Sequence, residues 1–202
     1  MEYLIHILLG IFATFIGFLA PGMINMTAVQ IAIEKGVQKS RVFAFGASII
    51  ILIQASIAIY FSTYLSQNPS VIESLEVGGI FVFFALAIFF FMKTRSKLNI
   101  KEKKEKEKGY FVRGVLMSSM NMLAIPFYLG ISTFLGAEDY LKMETAYVFT
   151  FVFGAMFGAY LLFFTYIAFA KVIIKRANFI ARNINYILSL LFLVLGIWTW
   201  IK

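Results

Sequence analysis

Three observations predict an all-α, polytopic membrane protein with six transmembrane helices arranged as two inverted three-helix repeats. Only 14% of the 202 residues are charged while 61% are hydrophobic. The apolar residues fall in six continuous runs, and the basic residues collect in alternate connectors between those runs. A soluble domain carries about 25% charged residues to cover its surface. Surface that faces lipid needs none, because hydrocarbon solvates Leu, Ile and Phe directly.

The apolar runs lie at residues 4–32, 42–65, 77–92, 111–136, 143–170 and 184–201. All but the third approach or exceed the ~20 residues that a helix needs to cross ~30 Å of hydrocarbon. Helices are expected rather than barrel strands because the runs are continuous instead of alternating. A membrane-spanning backbone must also satisfy its own hydrogen bonds. The first run begins Met1-Glu2-Tyr3 with no basic segment before it, which reads as a first spanning helix and not as a cleaved signal peptide.

The connectors after runs one, three and five hold sixteen of the eighteen Lys and Arg, among them Lys35, Lys39, Arg41, Lys171, Lys175, Arg176 and Arg182. The opposite side has Lys142 and Lys202 beside Glu2, Glu73, Glu76, Glu138, Asp139 and Glu144. Positive charge is retained on the cytoplasmic side, so the basic connectors are expected inside and both termini outside. This also fits the net charge of +8 to a membrane face rather than to nucleic acid. The tract Lys101-Glu-Lys-Lys-Glu-Lys-Glu-Lys108 reads as a solvated loop. Residues 1–93 are then a first three-helix repeat, 94–110 a charged cytoplasmic linker and 111–202 a second repeat. An odd helix count per half places the halves in opposite orientations. The visible echo between them is Leu19-Ala20-Pro21 against Leu123-Ala124-Ile125-Pro126.

The first run is long enough to reach about 43 Å as a helix, well beyond the bilayer core, so it must tilt or break. Pro21-Gly22 near its middle predicts a break, since Pro lacks an amide donor and clashes with the carbonyl four residues back, while Gly tolerates unusual dihedrals. Asn25, Thr27 and Gln30 follow at helical spacing. The fourth run offers a counterpart in Ser118-Ser119-Met120-Asn121, followed by Pro126 and Tyr128. Free backbone groups in hydrocarbon cost several kcal/mol each, so paired interruptions point to a midplane site. The candidate substrate-binding residues are therefore Pro21, Gly22, Asn25, Thr27, Gln54, Ser118, Asn121, Pro126 and Tyr128. Half-helix N-termini would favour a carboxylate and C-terminal ends an ammonium group, with Asn25 and Asn121 bonding the solute.

Gln54 and Tyr160 lie mid-helix and face either that site or a neighbouring helix. Gly154 and Gly158 predict a close helix contact, within the chain or between copies in a homo-oligomer. Trp198 and Trp200 read as interfacial anchors, and His6 as an uninvolved interfacial residue. The sequence has no Cys and one His, so metal sites, disulfides and most catalytic arrangements lack their parts, and no cofactor is expected.

The stretch Leu19-Ala20-Pro21-Gly22-Met23, continuing through Gly36, Lys39, Ser40 and Gly46, resembles the first motif of the lysine exporter (LysE) family of translocators. That motif has Pro-Gly-Pro followed by a glycine series. Here Met23 replaces the second Pro, and Ser40 and Ile50 stand where Gly is usual. Gly114-Val-Leu-Met-Ser-Ser-Met-Asn121 is similar to the family's fourth-helix segment, with Met122 and Leu123 in place of Pro-Lys and the proline displaced to Pro126. The resemblance implies a six-helix transporter of the bacterial cytoplasmic membrane. It also implies export of amino acids, a class that includes lysine, arginine, threonine and homoserine.

Against this stands a non-transporting scaffold or accessory subunit, which the departures at residues 23, 122 and 123 keep open. An intramembrane enzyme would need buried ionisable pairs, and the six apolar cores hold no Asp or Glu. No phosphate-binding loop is present, so the chain is not itself a nucleotide-driven pump.

Overall fold

The computed structural model describes residues 1–67, 109–121 and 123–175, together with scattered helical positions within 81–92 and 186–201. Its helices are α1 (Glu2–Gly17), α2 (Met23–Glu34), α3 (Val37–Gln67), α4 (Tyr110–Ser119), α5 (Ala124–Ala137) and α6 (Thr145–Ala168). No strand occurs among the described residues. The first apolar run is divided into α1 and α2, and the fourth into α4 and α5. Of the described helices, α3 and α6 are each long and apolar enough to cross a membrane, and α4 with α5, bent by 64°, makes a third candidate span. Alone, the 16 residues of α1 and 12 of α2 reach only about 24 and 18 Å, short of the ~30 Å core. The third and sixth runs as whole spans, the tract 101–108, Glu73, Glu76 and Trp198 lie outside the described residues. Trp200 is exposed.

The chain forms two compact units, Met1–Tyr64 with Lys104–Ile174, and Leu65–Lys103 with Lys175–Lys202. In the second, the Ser189 hydroxyl donates to the Ala87 carbonyl at 3.0 Å. The first carries α3 as far as Tyr64 and the other five helices. Its α6 shows how the sequence sorts residues around a helix. Phe149, Phe153, Phe157, Leu161 and Phe164 recur every three or four positions and are exposed, while Phe151, Gly154, Ala155, Gly158, Ala159 and Leu162 between them are buried. Large side chains thus cover the outward face, and the small residues of the helix gather on the inward one. That is the reverse of a helix solvated by water and the pattern of one solvated by lipid.

Small residues set the closest contacts. A Cβ at Gly10 of α1 would collide with the Phe151 carbonyl oxygen and the Ala155 amide of α6, and one at Gly154 with the Ile7 carbonyl. Gly158 meets Ile11 in the same way, so the Gly-x-x-x-Gly pair makes a contact within the chain. The same pattern recurs between α4 and α3. A Cβ at Gly114 would strike the Phe43 carbonyl and the Ala47 amide, and one at Gly46 the Phe111 carbonyl. The two surfaces share a sequence, Phe43-Ala-Phe-Gly-Ala47 in α3 and Phe151-Val-Phe-Gly-Ala155 in α6. Ile50, four residues after Gly46, holds the place that Gly158 holds after Gly154, and it is half-buried.

Two further devices fix the helix ends. Gly36, at φ +97°, adopts the left-handed conformation that ends α2 and reverses the chain into α3. Ser40, fully buried, donates its hydroxyl to the Ala28 carbonyl at 2.6 Å across that turn. At the start of α1, His6 is only 3% exposed and is not the idle interfacial residue expected. Its Nδ1 donates to the Glu2 carbonyl at 2.8 Å and its Nε2 accepts from the Lys142 amide at 3.2 Å, clasping α1 to the α5–α6 loop. The Glu2 carboxylate accepts from Lys142 Nζ at 2.8 Å and from the Tyr147 hydroxyl at 2.6 Å. The hydrogen bond to Glu2 raises the Lys142 ammonium pKa above its ordinary value.

The backbone contact at Gly154 yields a direct test. Gly154→Ala forces apart two main chains that have no flexible side chain to yield, and is expected to cost about 1–3 kcal/mol. Gly130→Ala, on α5 with open space around it, gains helix propensity and should be neutral or stabilising by up to ~1 kcal/mol. Melting curves of the two variants in detergent would separate them, and equal melting temperatures would refute the contact.

Candidate functional site

Both interruptions occur where the prolines require, and side chains bond five of the carbonyls at them, those of Phe18, Leu19, Ala20, Ser118 and Asn121. Pro21 cannot donate to the Gly17 carbonyl and its ring crowds it. Accordingly α1 ends at Gly17 and α2 begins at Met23. The carbonyls of Phe18, Leu19 and Ala20 within the break all receive donors. Asn25 Nδ2 donates to Phe18 O at 3.0 Å and to Ala20 O at 2.9 Å, and the Tyr166 hydroxyl of α6 donates to Leu19 O at 2.6 Å. Left unpaired, each buried carbonyl would cost roughly 1–3 kcal/mol. Gly22 caps α2 in an extended conformation, φ −88° and ψ 176°, which any residue adopts, so its conformational freedom is not what the break uses. It supplies no side chain, and the first turn of α2 has no side-chain cap.

Pro126 acts four residues upstream of itself. It occupies the first turn of α5, where a missing amide is harmless, and the helix gives way before it, between Ser119 and Ala124. The side chain that closes this break is Gln54 of α3. Its Nε2 donates to the carbonyls of Ser118, at 3.1 Å, and Asn121, at 3.4 Å. Those carbonyls also accept from the amides of Asn121, at 3.0 Å, and Ala124, at 3.3 Å. Gln54 is 6% exposed and Ser118 fully buried, yet Gln54 Oε1 and Ser118 Oγ have no hydrogen-bond partner.

The two breaks touch. Phe18, in the first, packs edge-on to Phe127 at 5.0 Å and against Tyr128 at 5.9 Å, just beyond the second. Gly17 lies directly against the Phe127 ring, with no room for a Cβ. Tyr128 is fully buried and shares a 2.8 Å hydrogen bond with the Thr14 hydroxyl of α1. Of the residues singled out from sequence, Asn25 belongs to the first break, Gln54, Ser118 and Asn121 to the second, and Tyr128 to the contact between them. Thr27 is buried but bonds its own helix, donating to Met23 O at 2.8 Å. Pro126 is exposed, acting on the backbone from outside.

Gln30, also exposed at its tip, donates to Glu34 at 2.9 Å. Tyr160 meets Phe45 edge-on at 6.3 Å and lines an open groove of about 280 Å³ with Gln38, Arg41 and Val42, away from the breaks. Sequence reasoning missed Thr14 and Tyr166. Thr14 carried a usable signal, a lone hydroxyl inside an apolar run. Tyr166 carried none, being one aromatic among many.

No curated protein and no solved structure matches the chain. Residues 15–202 match the family described as LysE type translocator, a span that includes both breaks and all four glycines of the α3–α4 and α6 contacts. The chain belongs to the LysE type translocator family.

Proposed function

We propose that the protein is a secondary transporter that exports amino acids or related small zwitterionic solutes across the bacterial cytoplasmic membrane by alternating access. The observation that carries this reading is the pair of interrupted helices, packed against each other at Gly17, Phe18, Phe127 and Tyr128. Broken helices at membrane depth bring main-chain polar groups to a place where a zwitterion can use them. The bare first turn of α2, whose cap Gly22 has no side chain, suits a carboxylate, and the carboxyl end of α4 suits an ammonium group. Asn25 is engaged by the break, so its role toward the solute is to hold the α2 amides in place.

The architecture we favour is six spanning helices in two inverted repeats, 1–93 and 111–202, joined by the linker 94–110. The matched glycine contacts support it: α1 meets α6 as α4 meets α3, each pairing one helix from either half. The segregation of Lys and Arg supports extracytoplasmic termini. The chemistry is transport, with no cofactor in the scheme.

Two measurements test the reading. Cells fed dipeptides accumulate the released amino acids. Those expressing the protein are expected to release at least one of them faster than vector controls, whereas no difference for any amino acid would favour a non-transporting scaffold. Asn25→Ala uncaps the Phe18 and Ala20 carbonyls, at about 1–3 kcal/mol for each. It is expected to lower the melting temperature and to reduce export about tenfold or more, a factor that corresponds to 1.4 kcal/mol. A variant that exported like the parent would show that the Asn25 carboxamide does not hold the site.

A further inference from the structure

We infer that Gln54 Oε1 and Ser118 Oγ, at the carboxyl end of α4, form a binding site for a monovalent cationic group. Both atoms are buried without a partner, and both belong to the second break. Gln54 Nε2 is already committed to the carbonyls of Ser118 and Asn121, which fixes the carboxamide and leaves its oxygen as a pure acceptor. The Ser118 hydroxyl belongs to the residue whose carbonyl Gln54 holds at 3.1 Å. A helix carboxyl end carries partial negative charge, so the ligand this cluster prefers is positive. Neutral oxygens of an amide and a hydroxyl suit a hard monovalent cation or an alkylammonium. A proton is not the natural occupant, because neither group titrates near neutral pH and the buried polar residues described include no carboxylate.

The related contact in the other half sharpens the argument. Thr14 stands four residues after Gly10, and Ser118 four after Gly114, the two glycines making equivalent contacts. Thr14 closes its hydroxyl on Tyr128 at 2.8 Å. Ser118 has no such neighbour, and among the described residues the unpartnered buried polar atoms fall at the second break alone. Two sources of the cationic group share this chemistry, a free sodium ion and the amino group of the exported solute. The second source rests on the export reading, whereas the first does not.

The test is the melting temperature of the purified full-length protein at constant ionic strength, with choline chloride replaced by sodium chloride or by methylammonium chloride. At about 100 times its dissociation constant the bound cation should raise the melting temperature by about 5 °C, saturably. A rise with sodium alone assigns the site to a free monovalent ion, and one with methylammonium alone to the solute's amino group. Ser118→Ala removes a hydroxyl that bonds nothing, so it should melt in choline no lower than the parent and lose most of the cation-dependent rise. No rise with either cation, or an undiminished rise in Ser118→Ala, would overturn the inference. Gln54→Leu offers a second reading of the same site where its fold holds. If cells export amino acids while the purified protein ignores both cations, the export reading stands and the cation site falls. A clear cation response in a protein that exports nothing keeps the cation site and removes the export reading.

Discussion

An interrupted helix in apolar surroundings leaves carbonyls that need donors, and the side chains that supply them tie the helices of the first compact unit together. In the break after α1, three successive carbonyls are met by two side chains, Asn25 from the next helix and Tyr166 from α6. In the break after α4 a single carboxamide, Gln54 from α3, spans two carbonyls. Each cap places a buried polar side chain in a largely apolar helix. Such a residue is stable there only because the break gives it partners. At the first break the dependence is strongest, since the carbonyls of Phe18, Leu19 and Ala20 take their donors from side chains, whereas those of Ser118 and Asn121 also accept backbone amides.

The glycine contacts make that dependence geometrically possible. Tyr166 reaches the first break because α6 lies against α1 at backbone distance, through Gly10, Gly154 and Gly158. Gln54 reaches the second because α3 lies equally close to α4, through Gly46 and Gly114. With larger residues at these positions the helix axes would separate, and a side chain of fixed length would no longer span the gap. The shared Phe-x-Phe-Gly-Ala segment thus serves the same purpose twice: phenylalanines flank a glycine that sets how near the capping helix stands to the helix it caps.

Much of this is legible in the sequence, and the part that is not has a clear physical cause. The helical runs and both interruptions follow from local chemistry, since hydropathy and proline act within a few residues of themselves. The second break nonetheless falls between Ser119 and Ala124 rather than at Pro126, because proline disrupts the turn before it and sits comfortably in the first turn of the next helix. Gly22 is legible as part of the break but for a different reason than its conformational freedom, as its backbone is ordinary. Ser40, which stands where the family has glycine, anchors α2 to α3 by its hydroxyl. What sequence alone does not reveal is which distant residue caps which break. Gln54 and Ser118 are 64 positions apart and Tyr166 and Leu19 are 147 apart. The repeated Phe-x-Phe-Gly-Ala segment is the available clue to the pairing of α3 with α4 and α6 with α1. His6 is hard to read for the same reason, since its partner Lys142 is 136 residues away.

The contacts also differ in how readily they can change. Main chain packed on main chain through glycine has no side chain to rotate, so α1 with α6 and α3 with α4 behave as two stiff pairs. The breaks meet through aromatic rings, Phe18 on Phe127 and Tyr128, and rings slide and repack at far lower cost than helix backbones separate. The aromatic seam is not the sole link between the pairs, since Phe45 of α3 meets Tyr160 of α6 and the Arg41 guanidinium lies over the Phe164 ring. Each stiff pair carries a cap of its own, Tyr166 within the first and Gln54 within the second. The Thr14–Tyr128 hydrogen bond crosses from α1 to α5 along that seam, and it joins two hydroxyls that either a water or a solute can replace as partner. The molecule thus concentrates its adjustable contacts where its exposed backbone already gathers.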